Sequence, residues 1–164
     1  MSATLRLFLG TAISTWLSSA ACADSISGRA SVVDGDSIEI HGERIHILDI
    51  DAPESAQFCF KKSEAIEEGA WPCGQQAALA LSDWIGQQNV TCDVSKRVKQ
   101  DGWSGRCVVA GQDAGEWLAE NGWAVPDRNC KCDVVREAAH RARAAQIGIW
   151  TSAFTLPWEW RKAH

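Results

Sequence analysis

The stretch RASVVDGDSIEIHGERIHILDI, residues 29–50, decides the fold of this chain. Apolar and polar residues alternate in three short runs, Arg29 to Val33, Ser37 to Ile40 and Arg44 to Ile50, and this period is typical of β-strands. Asp34-Gly35 marks a turn or bulge between the first two runs, and His41-Gly42-Glu43 is a tight connection between the second and third. The stretch therefore predicts three consecutive strands.

The residues that follow predict one inserted helix, two more strands and two further helices. Ala77, Leu81, Trp84 and Ile85 have the spacing of one apolar helix face. The remaining predicted elements are a hairpin of Val90 to Val98 and Gly105 to Val109, a helix over Ala114 to Glu120, and a helix over Asp133 to Gln146. Five short strands with a helix after the third predict an α+β fold, a five-stranded OB-type barrel with three helices packed outside it.

Length and composition favour a single exported domain. The chain has 164 residues, 46% of them hydrophobic and 23% charged, which excludes intrinsic disorder. Arg6, the apolar run Leu7 to Leu17 and the small residues Ala21-Cys22-Ala23 are typical of a signal peptide cleaved before Asp24. We therefore expect a signal peptide at residues 1–23, a domain at 24–164, and a secreted or periplasmic protein. A lipoprotein anchored at Cys22 is the weaker alternative.

The net charge argues against an electrostatic clamp on nucleic acid. The chain carries a formal charge of -5, which becomes -6 once Arg6 is removed with the signal peptide. Sequence-independent binding of a polyanion normally needs a basic surface. Any contact with nucleic acid must therefore depend on a local site, where a bound cation would reverse the sign of the charge.

The six cysteines that remain after export predict three disulfides. Cys92 and Cys107 lie on either side of the turn signal at residues 99–102, so that two antiparallel strands would bring them opposite each other. A bridge between Cys59 and Cys73 would tie down a long polar loop. Cys130 and Cys132 remain by elimination, although a Cys-x-Cys ring is strained. A zinc site is the alternative, but the CxxC spacing typical of such sites is absent.

Three acidic residues indicate a site for a hard metal ion. Asp36 lies in the turn Asp34-Gly35-Asp36-Ser37, and Asp51 and Glu54 lie in Asp51-Ala52-Pro53-Glu54 after the third strand. Each motif alone is typical of an ordinary turn. If the strands pair, the three acids converge, and their mutual repulsion favours a cation. Oxygen ligands favour calcium or magnesium over zinc.

Six motifs, taken together and in order, resemble those of the staphylococcal nuclease-like (thermonuclease) family. They are Val33-Asp34-Gly35-Asp36-Ser37, Ile47 to Glu54, Pro72 to Ala77, Gly105-Arg106, Gly122-Trp123-Ala124 and Gly148-Ile149-Trp150, and they span about residues 29 to 150. The resemblance implies an OB-fold nuclease that uses Ca²⁺ to hydrolyse phosphodiester bonds of single-stranded DNA or RNA on the 5′ side of phosphorus.

The resemblance also implies roles for individual residues. Asp36 and Asp51 match calcium ligands, and Ala52 matches a position that ligates through its main-chain carbonyl. Glu54 matches the general base that orients or deprotonates the attacking water, and Arg106 matches a phosphate-binding arginine. These roles agree with the chemistry, because a cation neutralises phosphate charge, a carboxylate aims water, and a guanidinium fork binds phosphate.

His46 is the main departure from the family pattern, because the family usually has a second catalytic arginine there. Imidazole cannot fork onto phosphate and is mostly neutral above about pH 6.5. A protonated His46 would make activity rise as the pH falls, for as long as calcium stays bound. Arg44, two residues earlier on the same strand face, is expected to substitute in part. Filling a barrel face is the structural alternative for His46.

A second departure is that the chain has no tyrosine to contact a nucleotide, so Trp103 is the candidate for base stacking. We therefore predict a nuclease of reduced activity that is monomeric, without a membrane span or stable protein partner. The alternative is an accessory or binding protein with the same fold and little catalysis, linked to exopolysaccharide (succinoglycan) biosynthesis. The two tail tryptophans, Trp158 and Trp160, alternate, and we expect them to cover the barrel.

Overall fold

The computed structural model describes residues 24–61, 69–98 and 102–164, and the predicted signal peptide lies outside these ranges. The strands in chain order are β1 (Asp24–Asp34), β2 (Ser37–Ile40), β3 (Glu43–Ile47), β4 (Ile50–Asp51), β5 (Cys59–Lys61), β6 (Ala70–Trp71), β7 (Asn89–Val98), β8 (Gly102–Val109), β9 (Gln112–Asp113), β10 (Val125–Pro126) and β11 (Ser152–Ala153). The helices are α1 (Cys73–Ile85), α2 (Ala114–Glu120), α3 (Asp133–Ala144) and α4 (Pro157–Ala163), with a 3-10 turn at Gly148–Thr151.

Five of these strands close into a barrel, which confirms the predicted OB-type α+β fold. The order β3-β2-β1-β7-β8 is antiparallel between neighbours, and β3 then pairs with β8 in parallel to close the sheet. Residues that alternate along β2 and β3 point inward and are at most 1% exposed: Ile38, Ile40, Ile45 and Ile47. The buried faces of α1, α2 and α3 join the same hydrophobic core.

The predicted strand from Arg44 to Ile50 is interrupted, and this break positions the candidate site. β3 ends at Ile47 and β4 begins at Ile50. Between them Asp49 adopts the left-handed backbone conformation, with φ of 72°, which aspartate tolerates better than most residues. Uninterrupted alternation would send residues 46 and 51 to opposite faces. The turn at Asp49 breaks the alternation, so the side chains of His46 and Asp51 can both lie near Asp36.

All three expected disulfides are present. Cys92 and Cys107 are register partners on β7 and β8, Cys59 is bonded to Cys73 at the start of α1, and Cys130 is bonded to Cys132. The zinc alternative is wrong, because these six thiols are consumed in covalent bonds. Disulfides of this number are typical of a protein that folds in an oxidising compartment such as the periplasm or the extracellular space.

The tail differs from the prediction, which gave three helices. Residues 157–163 form a fourth helix, α4, with Pro157 at its first position, where proline is favoured. Trp158 packs against a second buried cluster that includes Cys59 and Cys73, whereas Trp160 stacks on His164. Within the described residues, no helix combines the length and apolar character that a bilayer crossing requires.

Candidate active site

The turn between β1 and β2 places Asp36 below the barrel surface. The Asp36 N–H donates to the Asp34 carboxylate (3.2 Å), as in an Asx turn. Gly35 is needed because a Cβ there would lie 2.8 Å from the Cβ of Ala52. Asp36 is only 7% exposed, and one of its side-chain oxygens accepts a 2.8 Å hydrogen bond from the Ala52 N–H. The two acidic motifs therefore contact each other directly.

Asp51 is the second buried acid of the site. It lies in β4, where it pairs with Val125 of β10, and it is 3% exposed. Its negative charge, with that of Asp34, helps to raise the pKa of Asp36 well above its ordinary value. Burial is the largest cause of that rise, and the hydrogen bond from the Ala52 N–H opposes it. A cation would stabilise these two buried acids in their charged forms, because it offsets their mutual repulsion.

The donor set suits a hard divalent ion, although the described residues contain no group of three or more His, Cys, Asp or Glu side chains arranged as a metal cluster. Asp36 and Asp51 offer carboxylate oxygens, and Ala52 offers a backbone carbonyl between Asp51 and Glu54. Calcium and magnesium prefer oxygen ligands of this kind. A cation bound beside Asp36 would favour the charged form of this buried acid and so oppose the rise of its pKa.

The backbone of Glu54 is held in place, while its side chain is partly exposed. Its carbonyl accepts a 2.7 Å hydrogen bond from the Gln57 N–H, and its own N–H donates to the Gln57 side chain (3.3 Å). Gln57 is fully buried, and α1 begins so close by that a Cβ at Gly74 would overlap the Glu54 carbonyl oxygen. The Glu54 side chain is 30% exposed. A fixed backbone with an accessible carboxylate is suited to orienting a water molecule.

One open cavity of about 390 Å³ collects most of the predicted site residues. It is lined by Asp34, Asp36, Ser37, Arg44, His46, Glu54, Trp103, Ser104 and Arg161. Asp51 and Ala52 lie behind this wall, in contact with Arg161 and Asp36 respectively. The cavity thus joins acidic, cationic and aromatic groups.

His46 and Arg44 both face this cavity from β3. The His46 Nδ1 lies 3.3 Å from the Asp36 carboxylate and 3.3 Å from the Ser37 hydroxyl, and the ring is about half exposed. Arg44 donates to Asp34 at 3.0 Å. On β8, the Trp103 Nε1 donates to Glu43 at 2.9 Å. His46 therefore contacts a predicted metal ligand, and Arg44 and Trp103 line the same cavity.

Arg106, in contrast, is not among the residues that line the cavity. Its guanidinium donates to Asp49 (2.6 Å) and to Asp113 (2.7 Å), and the side chain is half exposed. These two carboxylates raise the pKa of Arg106 by more than partial burial lowers it. Asp113 also accepts a hydrogen bond from the Glu116 N–H as the N-cap of α2. The predicted phosphate-binding arginine therefore belongs to an ion-pair network outside the residues that line this cavity.

Arg161 on α4 is the site residue that the sequence analysis missed. Its Nη1 donates to Asp51 (2.8 Å) and to Glu54 (2.6 Å), and its Nη2 donates to the other Asp51 oxygen (2.7 Å). Its hydrogen bonds to Asp51 and Glu54 raise its pKa above the ordinary value, against a smaller opposing effect of burial. No local motif indicates this contact, because it joins positions more than one hundred residues apart.

Comparison with known proteins agrees with this architecture. Residues 44–152 match the family model described as staphylococcal nuclease homologue. The chain is also 37% identical over 134 residues to a protein of Rhizobium meliloti (strain 1021) named succinoglycan biosynthesis protein ExoI. That alignment covers 80% of this chain and 68% of the relative. The family match includes Asp51, Glu54 and Arg106, but it begins after Asp36 and ends before α4.

Proposed function

Since the chain belongs to the staphylococcal nuclease family, we propose that it is a calcium-dependent nuclease that hydrolyses phosphodiester bonds of single-stranded DNA or RNA. The observation that carries the proposal is the convergence of Asp36, His46 and Glu54 on one open cavity. Arg44 and Trp103 line the same cavity and supply a cation and a ring for a nucleotide. These groups provide metal ligands, a base and substrate contacts together.

In this proposal, Asp36, Asp51 and the Ala52 carbonyl hold the calcium ion. The bound ion supplies positive charge that offsets the phosphate and favours its approach to an acidic protein. Glu54 accepts a proton from water as the water oxygen attacks phosphorus, and the 5′ oxygen leaves with its bonding pair and takes up a proton from solvent water. Glu54 then returns its proton to solvent. Arg44 donates to phosphate oxygens, and Trp103 offers a stacking surface for a base.

We propose that the activity is reduced relative to a site with two arginines. The His46 ring cannot donate two parallel hydrogen bonds to one phosphate, and Arg106 is paired with Asp49 and Asp113. Loss of one preorganised donor costs ~10²-fold in rate. These two hydrogen bonds use one donor on each terminal nitrogen of Arg106, so any phosphate that it binds must share the guanidinium with both carboxylates.

The proposed location is the periplasm or the extracellular space, and the proposed form is a monomer without a stable protein partner. Three disulfides support this location. The signal sequence proposed at residues 1–23 would direct export.

The test is calcium-dependent cleavage of single-stranded DNA by the oxidised protein. Glu54→Gln is the matched control, because it keeps the size of the side chain and an acceptor for Arg161 while removing the base. We expect cleavage by the native protein in calcium, none in EDTA, and a loss of at least ~10²-fold in the variant. Equal rates for the native protein and Glu54→Gln would refute the proposal.

The second candidate is an accessory role in exopolysaccharide biosynthesis with little catalysis. Two observations favour it: the name of the relative from Rhizobium meliloti, and the pairing of Arg106 away from the cavity. Complementation of a strain that lacks this protein with the Glu54→Gln variant distinguishes the two candidates. Restored polysaccharide production would support the accessory role, whereas complementation by the native protein alone would favour catalysis.

A further inference from the structure

Helix α4 carries a cation into the acidic site. Arg161 approaches Asp51 with both terminal nitrogens and shares one of them with Glu54, at distances of 2.6 to 2.8 Å. The Asp51 side chain is 4% exposed and lies largely out of water, whereas the Arg161 side chain is 46% exposed. A two-pronged contact of this kind is the strongest common arrangement of guanidinium and carboxylate.

The segment before Arg161 is anchored independently of this ion pair. The carbonyl of Thr155 accepts a 2.6 Å hydrogen bond from the side chain of buried Gln57, Pro157 is buried, and Trp158 packs against the second cluster. Arg161 lies one helical turn beyond Pro157. Its side chain can therefore leave the carboxylates while the start of α4 stays in place.

A metal ion at this site needs the oxygens that Arg161 already binds. Asp51 is one of the two proposed carboxylate ligands, and both of its oxygens accept from Arg161. A guanidinium and a divalent cation both neutralise these acids, and two cations drawn to the same carboxylate oxygens repel each other and therefore compete.

We propose that Arg161 is an internal cation that competes with the divalent ion for Asp51 and Glu54, and so sets the affinity of the site for metal. The inference rests on the proposed function only for the identity of the ion. It predicts that the metal-free protein keeps a neutralised site, and that metal binding displaces the Arg161 side chain.

The test is titration calorimetry of the oxidised protein with calcium alone. Arg161→Gln removes the cation, and Lys162→Gln is the matched control on the same helix, since Lys162 pairs with Glu159 at the surface. We expect Arg161→Gln to bind calcium about tenfold more tightly or better, and Lys162→Gln to bind as the native protein does. Equal or weaker binding by Arg161→Gln would overturn the inference and leave the calcium nuclease standing.

A second measurement uses the native protein, in case Arg161→Gln does not fold. The side-chain Nε–H signal of Arg161 in a nitrogen–proton NMR spectrum should shift on calcium addition, while that of Arg141, which pairs with Glu120 on the outer surface, should stay. An Arg161 signal that does not respond while calcium binds would refute displacement.

The outcomes separate the two proposals. If neither the native protein nor Arg161→Gln binds calcium, both are wrong. If Arg161→Gln binds calcium more tightly but cleaves no faster than Glu54→Gln, the competition holds and the nuclease proposal fails.

Discussion

Replacing Arg161 with glutamine should destabilise the metal-free protein by about 2 to 3 kcal/mol. The Asp51 carboxylate accepts both of its described hydrogen bonds from Arg161 and is 4% exposed. Removing one partner of a buried ion pair costs ~3–5 kcal/mol, because a charge is left without compensation. Arg161 is 46% exposed and partly screened by water, so the expected loss of stability is smaller, about 2 to 3 kcal/mol. For a chain of this length, the change corresponds to about 4 to 12 °C in Tm.

The assay is thermal unfolding followed by circular dichroism in EDTA, with the disulfides intact. Lys162→Gln should remain within ~0.5 kcal/mol of the native protein, as surface substitutions usually do. The double variant Asp51→Asn with Arg161→Gln should be more stable than Arg161→Gln alone, because it no longer buries an unpaired charge; the expected coupling is ~1–3 kcal/mol. A Tm for Arg161→Gln within ~1 °C of the native value would refute the reasoning.

Three further predictions concern the same site. His46→Arg should raise initial rates on single-stranded DNA by up to ~10²-fold in saturating calcium, and a slower variant would show that the imidazole itself contributes. Gly74→Ala should slow cleavage and lower the urea midpoint of unfolding, because its Cβ would displace the backbone of Glu54. The control is Gly42→Ala, where φ is 81° but nothing lies within 4 Å of the added Cβ. It should lower the free energy of unfolding by only ~1 kcal/mol and leave the rate of cleavage unchanged. Because the pKa of Asp36 is raised, its carboxyl group keeps a proton in the metal-free folded protein at pH values where the unfolded chain has lost it. The contribution of Asp36 to stability should therefore fall as the pH rises above about 4. Asp36→Asn should flatten that decline in a series of unfolding curves, and an unchanged slope would contradict the prediction.

The barrel could be predicted from the sequence because residues close together in the chain determine where its strands begin, end and face the core. Alternation of isoleucines along β2 and β3 specifies which face is buried, and turn residues mark where each strand ends. The disulfide between Cys92 and Cys107 follows from the same logic, since the hairpin sets the register. The break at Asp49 is harder to predict, because a left-handed residue inside an apolar run differs little in composition from a strand.

Contacts between distant charges could not be predicted in the same way. Arg106 was expected to face phosphate, but Asp49 and Asp113 lie within reach and compete for the same guanidinium. Sequence alone does not rank such partners, because the ranking depends on distance and burial. Arg161 is the stronger case, since its partners are brought near it only when the barrel closes and the tail folds back.

The position of α4 has a consequence for protein engineering. The family match ends at residue 152, so a chimaera that took residues 24–152 of this chain and joined them to another tail would carry the barrel and leave the Arg161 side chain behind. The recipient would gain Asp51 and Glu54 without their native counter-charge, and its ion requirement would then be set by whatever tail it already carried. The exchangeable unit of this chain therefore extends through the last helix.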